Sequence, residues 1–407
     1  MSLNSTPSGE RFHIGFFGRR NAGKSSLVNA FTGQNLSIVS DTLGTTTDPV
    51  YKAMELLPVG PVMIVDTPGL DDEGELGQMR ITKCIEVMRR IDLALLVIDS
   101  TIGLSEEDEV IKKLLADYEI PTITVFNKTD LVKNEDTNED FGNNNNSIKV
   151  SSTTLEGINE LKERVAQFAQ GVVNGASGVN GEANNRSLLP EELVRGDIVI
   201  LVMPIDESAP KGRIILPQQQ VIRACLDKGI VAACCKETEL EETINSLTVN
   251  PSLIVTDSQA FRKVREVLKK MDLDIELTSF SILLAKYKGD YEWQMKGLLA
   301  VENLSDGDLV LIAEGCTHHR QCQDIGTVKI PKALRKLAKG AAIQIETVSG
   351  HEFPATEEEL RRYKLVVHCG GCTLSPREMK WRVNQCKKAG VPITNYGMVL
   401  SRALQIE

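Results

Sequence analysis

Several short stretches in the first third of the chain carry residue types suited to phosphate, magnesium and guanine. Gly18 to Ser25 reads GRRNAGKS, directly after the apolar run FHIGFF and ahead of a helical pattern. Glycines in such a loop let backbone N–H groups close around phosphate oxygens, and the helix N-terminus adds a favourable dipole. Gly18, Asn21, Ala22, Gly23, Lys24, Ser25 and Ser26 would line the phosphates, with Lys24 reaching the β- and γ-phosphates and Ser25 binding Mg²⁺. DTPG at 66–69 ends the run VMIVD, which places Asp66 to orient the Mg²⁺ shell and Gly69 to offer a backbone N–H to the γ-phosphate. NKTD at 127–130 ends the run TITVF, so that Asn127, Lys128 and Asp130 flank a base. Asp130 can accept from the N1 and N2 donors of guanine, a pair that adenine lacks. GTTTDP at 44–49 supplies hydroxyls, including Thr46, and VSS at 150–152 sets Ser151 and Ser152 beside the base. A single phosphate loop is a weak signal, but five elements in this order and strand context imply GTP with Mg²⁺.

A second constellation lies in the last third. Cys316-Thr317-His318 follows the run LVLIAEG, and His368-Cys369-Gly370-Gly371-Cys372 follows YKLVVH. Both groups fall at strand C-termini, where α/β sheets place their ligand crevices. The paired glycines let the backbone wrap a bulky group and aim N–H donors at its sulfur. Ser375 as N-cap, Pro376 at the first helical position and Glu378 completing a capping box predict a helix N-terminus facing the site, which favours thiolate. The residues themselves leave three chemistries open: an iron–sulfur cluster, a structural zinc in a Cys₃His shell, or a redox disulfide. The last suits the Gly-Gly interior and the distant third cysteine least. For a fourth ligand His318, His319, His368, Cys322 and Asp324 are candidates, with His319 and Cys322 equally readable as orienting or packing residues.

The elements that must position these groups follow from the patterning. Residues 12–170 alternate apolar runs with helical patterns such as KSSLVNAFTG and EEDEVIKKLLADYE, the signature of a mostly parallel sheet covered on both faces. The fold class is therefore α/β, a P-loop nucleotide domain followed by two further α/β domains. Residues 1–170 form the first, 171–185 (GVVNGASGVNGEANN) a linker, 186–280 a middle domain and 281–407 the domain holding the cysteines. The segment 134–146 reads as a surface loop. Cys225, Cys234 and Cys235 in the middle domain, and Cys84 and Cys386 in helical patterns, read as buried small hydrophobes. No internal repeat of fixed period is evident.

Composition bounds the rest. Nine cysteines in a chain of 407 residues expected to sit in a reducing compartment are better read as ligands than disulfides. No apolar run approaches the roughly 20 residues of a membrane helix, so a cytoplasmic address without membrane contact is expected. A net charge of −10 argues against a general nucleic-acid binder. Residues 316–407 nevertheless hold 15 Lys+Arg against 8 Asp+Glu, a basic region that could attract an anionic cargo.

GRRNAGKSSLVNAF resembles the tRNA-modifying and ribosome-assembly GTPases of the translation-factor class. That resemblance implies that Asn21 helps hold a K⁺ ion against the phosphates, unless it is a simple loop-turn residue. It also makes Thr46 the switch threonine and puts Leu70 where Ras-like enzymes carry a water-orienting glutamine. Slow intrinsic hydrolysis stimulated by K⁺ is the corollary. The pattern Cys-x-His, a step of 50, then His-Cys-x-x-Cys behind such a domain resembles the maturation GTPases of FeFe-hydrogenases along the whole chain. The implied properties are a 4Fe-4S cluster on Cys316, Cys369 and Cys372 with one exchangeable iron position, and a middle domain that makes a homodimer. The implied partners are two radical-SAM maturases that supply a transient diiron precursor and the apo-hydrogenase that receives it. The competing expectation is a ribosome-assembly or tRNA-modifying GTPase with a structural zinc site, and a third is a GTPase whose turnover senses cluster loss.

Overall fold

The computed structural model describes residues 6–33, 49–69, 75–132, 146–173, 187–205, 214–316 and 324–405. Thr46, Leu70, His318, His319 and Cys322 lie outside them, as do nearly all of the 134–146 loop and most of the expected linker. The chain divides into two compact units, Met1–Asn185 and Arg186–Glu407.

The first unit runs β1 (Phe12–Phe17), α1 (Lys24–Thr32), β2 (Val50–Leu56), β3 (Gly60–Asp66), α2 (Glu75–Met88), β4 (Leu93–Asp99), α3 (Glu106–Asp117), β5 (Thr122–Asn127), β6 (Ser147–Lys149) and α4 (Ile158–Val173). Its sheet has the order β2-β3-β1-β4-β5-β6, parallel throughout except for the antiparallel β2–β3 edge. The uninterrupted apolar runs of β1 and β4 are explained by burial on both faces. Phe16 joins Leu27, Val97 and Leu161 on one face, while its neighbour Phe17 joins Met88, Leu96 and Leu115 on the other. Helix α4 continues to Val173, so the first residues assigned to the linker are helical.

The second unit runs β7 (Ile198–Val202), α5 (Leu216–Lys228), β8 (Val231–Cys235), α6 (Leu240–Ser246), β9 (Leu253–Thr256), α7 (Phe261–Lys270), β10 (Leu277–Ser279), α8 (Phe280–Lys288), α9 (Tyr291–Ala300), β11 (Leu309–Ala313), α10 (Ile330–Leu337), β12 (Gln344–Val348), α11 (Glu357–Arg361), β13 (Leu365–His368), α12 (Pro376–Ala389), β14 (Ile393–Asn395) and α13 (Tyr396–Gln405). It contains two four-stranded parallel sheets, β10-β9-β7-β8 and β12-β11-β13-β14. Written from the second strand, both follow the same order, 2-1-3-4. The likeness extends to detail. Gly196 and Gly307 precede the first strands at φ 93° and 85°. Asp197 and Asp308 accept from the backbone N–H three residues earlier, each at 2.8 Å. Thr278-Ser279-Phe280 and Thr394-Asn395-Tyr396 make the same strand-to-helix step. The two halves of the second unit thus share one topology, which no fixed residue period announced.

Helix α8 serves both halves. Phe280 and Leu283 belong to the core over β7 and β9, whereas Ala285, with Ile282 beside it, packs into the core over β11 and β13. The expected boundary at 280/281 therefore falls at the start of this shared helix. Cys84, Cys225, Cys235 and Cys386 are buried as expected. Cys234 is exposed, because β8 is the edge of its sheet.

Candidate functional site

In the first unit the phosphate loop leaves β1 and enters α1 through Gly23 in the left-handed conformation. Gly18 is obligatory: a Cβ there would stand 2.3 Å from the Val97 carbonyl oxygen. Lys24 is buried and its ammonium donates to the carbonyls of Gly18 and Arg19 at 2.9 and 2.8 Å, inside the loop that phosphates would occupy. The Ser25 hydroxyl donates to Asp66 Oδ2 at 2.8 Å, bringing together the hydroxyl and carboxylate of a Mg²⁺ site. Ala22 is buried, Ser26 stands in the first turn of α1, and Gly69 ends a described segment just after Pro68.

The base side is built around Asn127, fully buried. Its amide donates to the Ala22 carbonyl at 3.2 Å and its oxygen accepts from the N–H and hydroxyl of Ser152 at 3.1 and 2.9 Å. One side chain thus ties phosphate loop to base loop. Lys128 donates to the Asn21 carbonyl at 2.6 Å and to Asp99 Oδ2 at 2.7 Å. Burial alone would raise the Asp99 carboxyl, but hydrogen bonds from Lys128 and Thr101 outweigh it and hold the group below its ordinary range. Asp130 is exposed and oriented by the Ser151 hydroxyl at 2.6 Å, ready to accept from a base edge.

In the second unit β11 and β13 pair in register up to Ala313 and His368, so Cys316 and Cys369 leave adjacent strands at the same end. Cys369 donates its N–H to the Ala313 carbonyl at 2.9 Å, and its sulfur accepts from the N–H groups of Gly315 and Gly371 at 3.0 and 3.3 Å. Gly371 sits at φ 61°, a conformation a side chain would strain. The Thr373 hydroxyl closes the loop onto the Gly315 carbonyl at 2.6 Å. Ser375 caps α12 by accepting from the Glu378 N–H at 3.2 Å. The thiols are not activated by these donors, contrary to the expectation from helix-end geometry. Burial dominates, pushing Cys316 up to about 12, with Cys369 and Cys372 adding to the rise, and Cys372 to about 11, with Cys369 adding to it. A metal bound at these sulfurs would displace their protons.

Of the residues behind these cysteines, sequence reasoning named His368, Glu378 and Asp324 but missed Arg382, Glu314 and Tyr396. His368 is buried, with Nδ1 at 2.8 Å from the Cys369 carbonyl and Nε2 at 3.0 Å from Arg382 Nη1. Burial, then Arg382, push its pKa down to about 3, so the ring is neutral, donates from Nδ1 and accepts at Nε2. Both nitrogens are engaged, an arrangement of an orienting residue rather than a ligand. Arg382 is fully buried and also donates to the Gly350 carbonyl and Glu378 Oε1, both at 2.8 Å. The Glu378 carboxylate, expected to turn back to the cap, contacts Arg382 and, at 3.0 Å, His351. Buried Glu314 accepts from the Tyr396 hydroxyl at 3.4 Å and, with Asp324, adds negative charge near Cys316. Among the described residues no group of three His, Cys, Asp or Glu side chains is arranged to hold a metal ion.

A six-stranded sheet with a phosphate loop after β1, a Ser–Asp pair for Mg²⁺ and a guanine-reading loop after β5 defines a P-loop GTPase. A family model described as "50S ribosome-binding GTPase" matches residues 13–128. The remainder settles the family. The "Hydrogen maturase F dimerization domain" matches residues 188–289 and the "Hydrogen maturase F tetramerization domain" residues 292–406, so the chain belongs to the hydrogen maturase F family. The tRNA modification GTPase MnmE of Clostridioides difficile is 36% identical over 151 residues, covering 36% of this chain and 32% of its own. GTPase Der of Kosmotoga olearia is 34% identical over 128 residues, covering 30% and 29%. The chain thus spans about a third of the length of these curated relatives. A crystal structure of Aquifex aeolicus Era is 17% identical, covering 63% of this chain and 97% of that one, with a TM-score of 0.35. Among the described residues no helix is long and apolar enough to cross a membrane.

Proposed function

We propose that the chain is a GTP-hydrolysing scaffold that holds a 4Fe-4S cluster on Cys316, Cys369 and Cys372 and passes a diiron precursor to apo-FeFe-hydrogenase. The observation that supports this reading is that Cys316 and Cys369 leave adjacent strand ends, with Cys372 in the same loop as Cys369, inside a chain of the hydrogen maturase F family. A single tetrahedral zinc draws its ligands tightly together, whereas a cubane binds each thiolate to a different iron and needs a wider set. Once bound, the cluster would supply an iron open to an exchangeable ligand. The chain's own contribution is to present N–H donors to the Cys369 sulfur and to bury the site among apolar residues.

In the GTPase unit, Lys24 and the backbone of Gly18–Ser25 would grip the phosphates, Ser25 and Asp66 the Mg²⁺, and Asp130 the guanine. Asn21, with Thr46 and Gly69, would serve a slow hydrolysis stimulated by K⁺, acting as a switch because γ-phosphate contacts order loops that relax after cleavage. Self-association through the second unit, a cytoplasmic address and exchange with two radical-SAM maturases complete the reading.

Anaerobic reconstitution with iron and sulfide, followed by EPR of wild type and of Cys316→Ala, Cys369→Ala and Cys372→Ala, tests it. A cubane signal lost or altered in each variant is expected. The same signal in all three would sink the assignment, and a colourless zinc-containing protein would favour a structural metal.

A further inference from the structure

The Cys369–Cys372 loop is held from behind by a lysine that no motif announces. Lys288, the last residue of α8, is 2% exposed. Its ammonium donates to the carbonyls of Gly371, Cys372 and Leu374 at 3.1, 3.2 and 2.9 Å. An ammonium has three donors, and here three backbone acceptors lie in one short loop. Burying a charged group is costly unless its donors are met, so this arrangement is a fixed one rather than a surface accident.

A trans peptide unit points its carbonyl and the following N–H in opposite directions. Carbonyls of 371 and 372 turned toward Lys288 therefore turn the N–H groups of Cys372 and Thr373 away from it. Those two N–H groups act on the Cys372 sulfur. Lysine lies on one side of the loop and sulfur on the other, with polarised peptide units between them. The anchor is rigid: Phe280 and Leu283 of the same helix are buried in the core over β7 and β9, and Gly370 lies against Ser281 and Leu284.

We propose that Lys288 is a positioning residue for the metal group of the three-cysteine site, fixing and polarising the peptide units whose N–H ends face the Cys372 sulfur. The inference rests on the cluster reading above and deepens it. It also makes α8, shared with the dimerisation half, the mechanical support of the ligand loop. A cation on this side favours the more negative, reduced cluster, and a fixed loop slows loss of iron.

The test uses the full chain, reconstituted anaerobically, as wild type, Lys288→Gln and Lys288→Arg. Gln keeps two donors without charge, while Arg keeps the charge. EPR-monitored potentiometry should show a shift to more negative potential in the Gln variant and a value near wild type in the Arg variant. Iron loss to a ferrous chelator should be about tenfold faster with Gln, the effect of one charge-assisted hydrogen bond. A Gln variant that holds no cluster while its apo circular dichroism is native, with Arg still loaded, also supports the proposal. Unchanged potential and chelation in a loaded Gln variant would overturn it, as would loss of native circular dichroism in both apo variants, which would make Lys288 a general fold strut. Failure of the wild type itself to take up a cluster would instead overturn the parent reading, and the inference with it.

Discussion

Removing Arg382 asks directly how the wall behind Cys369 is stabilised. Its guanidinium is fully buried and holds His368, the Gly350 carbonyl and Glu378 at 3.0, 2.8 and 2.8 Å. In Arg382→Met the Glu378 carboxylate, 3% exposed, loses its buried cation, and two acceptors lose a donor. Breaking a buried ion pair from one side costs about 3–5 kcal/mol. In a unit of this size each kcal/mol moves the midpoint by about 2–4 °C, so the second unit should melt roughly 6–20 °C lower. Calorimetry of the apo full chain measures this, together with Glu378→Leu and the double variant. The double variant replaces the pair by apolar groups and should recover about 1–3 kcal/mol relative to the sum of the single losses. Strictly additive losses, or a single loss below about 1 kcal/mol, would refute the account of an interdependent buried pair.

Other outcomes follow from the nucleotide side. Asp130→Asn should weaken GTP by roughly 10²-fold or more by loss of charge-assisted bonds to guanine, while improving xanthosine triphosphate, as competition binding would reveal. Ser25→Ala should leave nucleotide binding measurable by calorimetry but make it far less responsive to Mg²⁺. Exchanging K⁺ for Na⁺ should slow phosphate release in wild type and leave Asn21→Ala nearly unchanged. Asp99 gives a pH effect with a definite sign: its folded carboxyl is depressed, so its contribution is present above the ordinary value of 3.8 and is withdrawn as pH falls through the folded value. Thermal melts of the first unit between pH 5 and 3 should therefore fall more steeply for wild type than for Asp99→Asn.

Chemistry confined to short contiguous motifs was legible in the chain. The loops holding Lys24, Asp66, Asn127 and Asp130 are where strand ends predict them, and Cys316 and Cys369 meet because their apolar runs are neighbours in a parallel sheet. What stayed hidden depends on distance or on shortness. Strands β10 and β14 have three residues each, too few to show alternation, so the last strand and helix were not foreseen. Lys288 and Arg382 sit in ordinary amphipathic helical patterns, and only tertiary packing turns them inward. The expectation of activated thiols failed because local dipoles were counted without the burial that opposes them. Exposure of Cys234 required knowing that β8 is an edge.

The second unit carries one strand order twice. The offset that superposes Gly196 on Gly307 puts Ile205 where the other copy has Cys316, and pairing at the strand ends puts Asp257 where it has Cys369. One shared strand order thus carries cysteines at the strand ends of one half and Ile205 and Asp257 at those of the other.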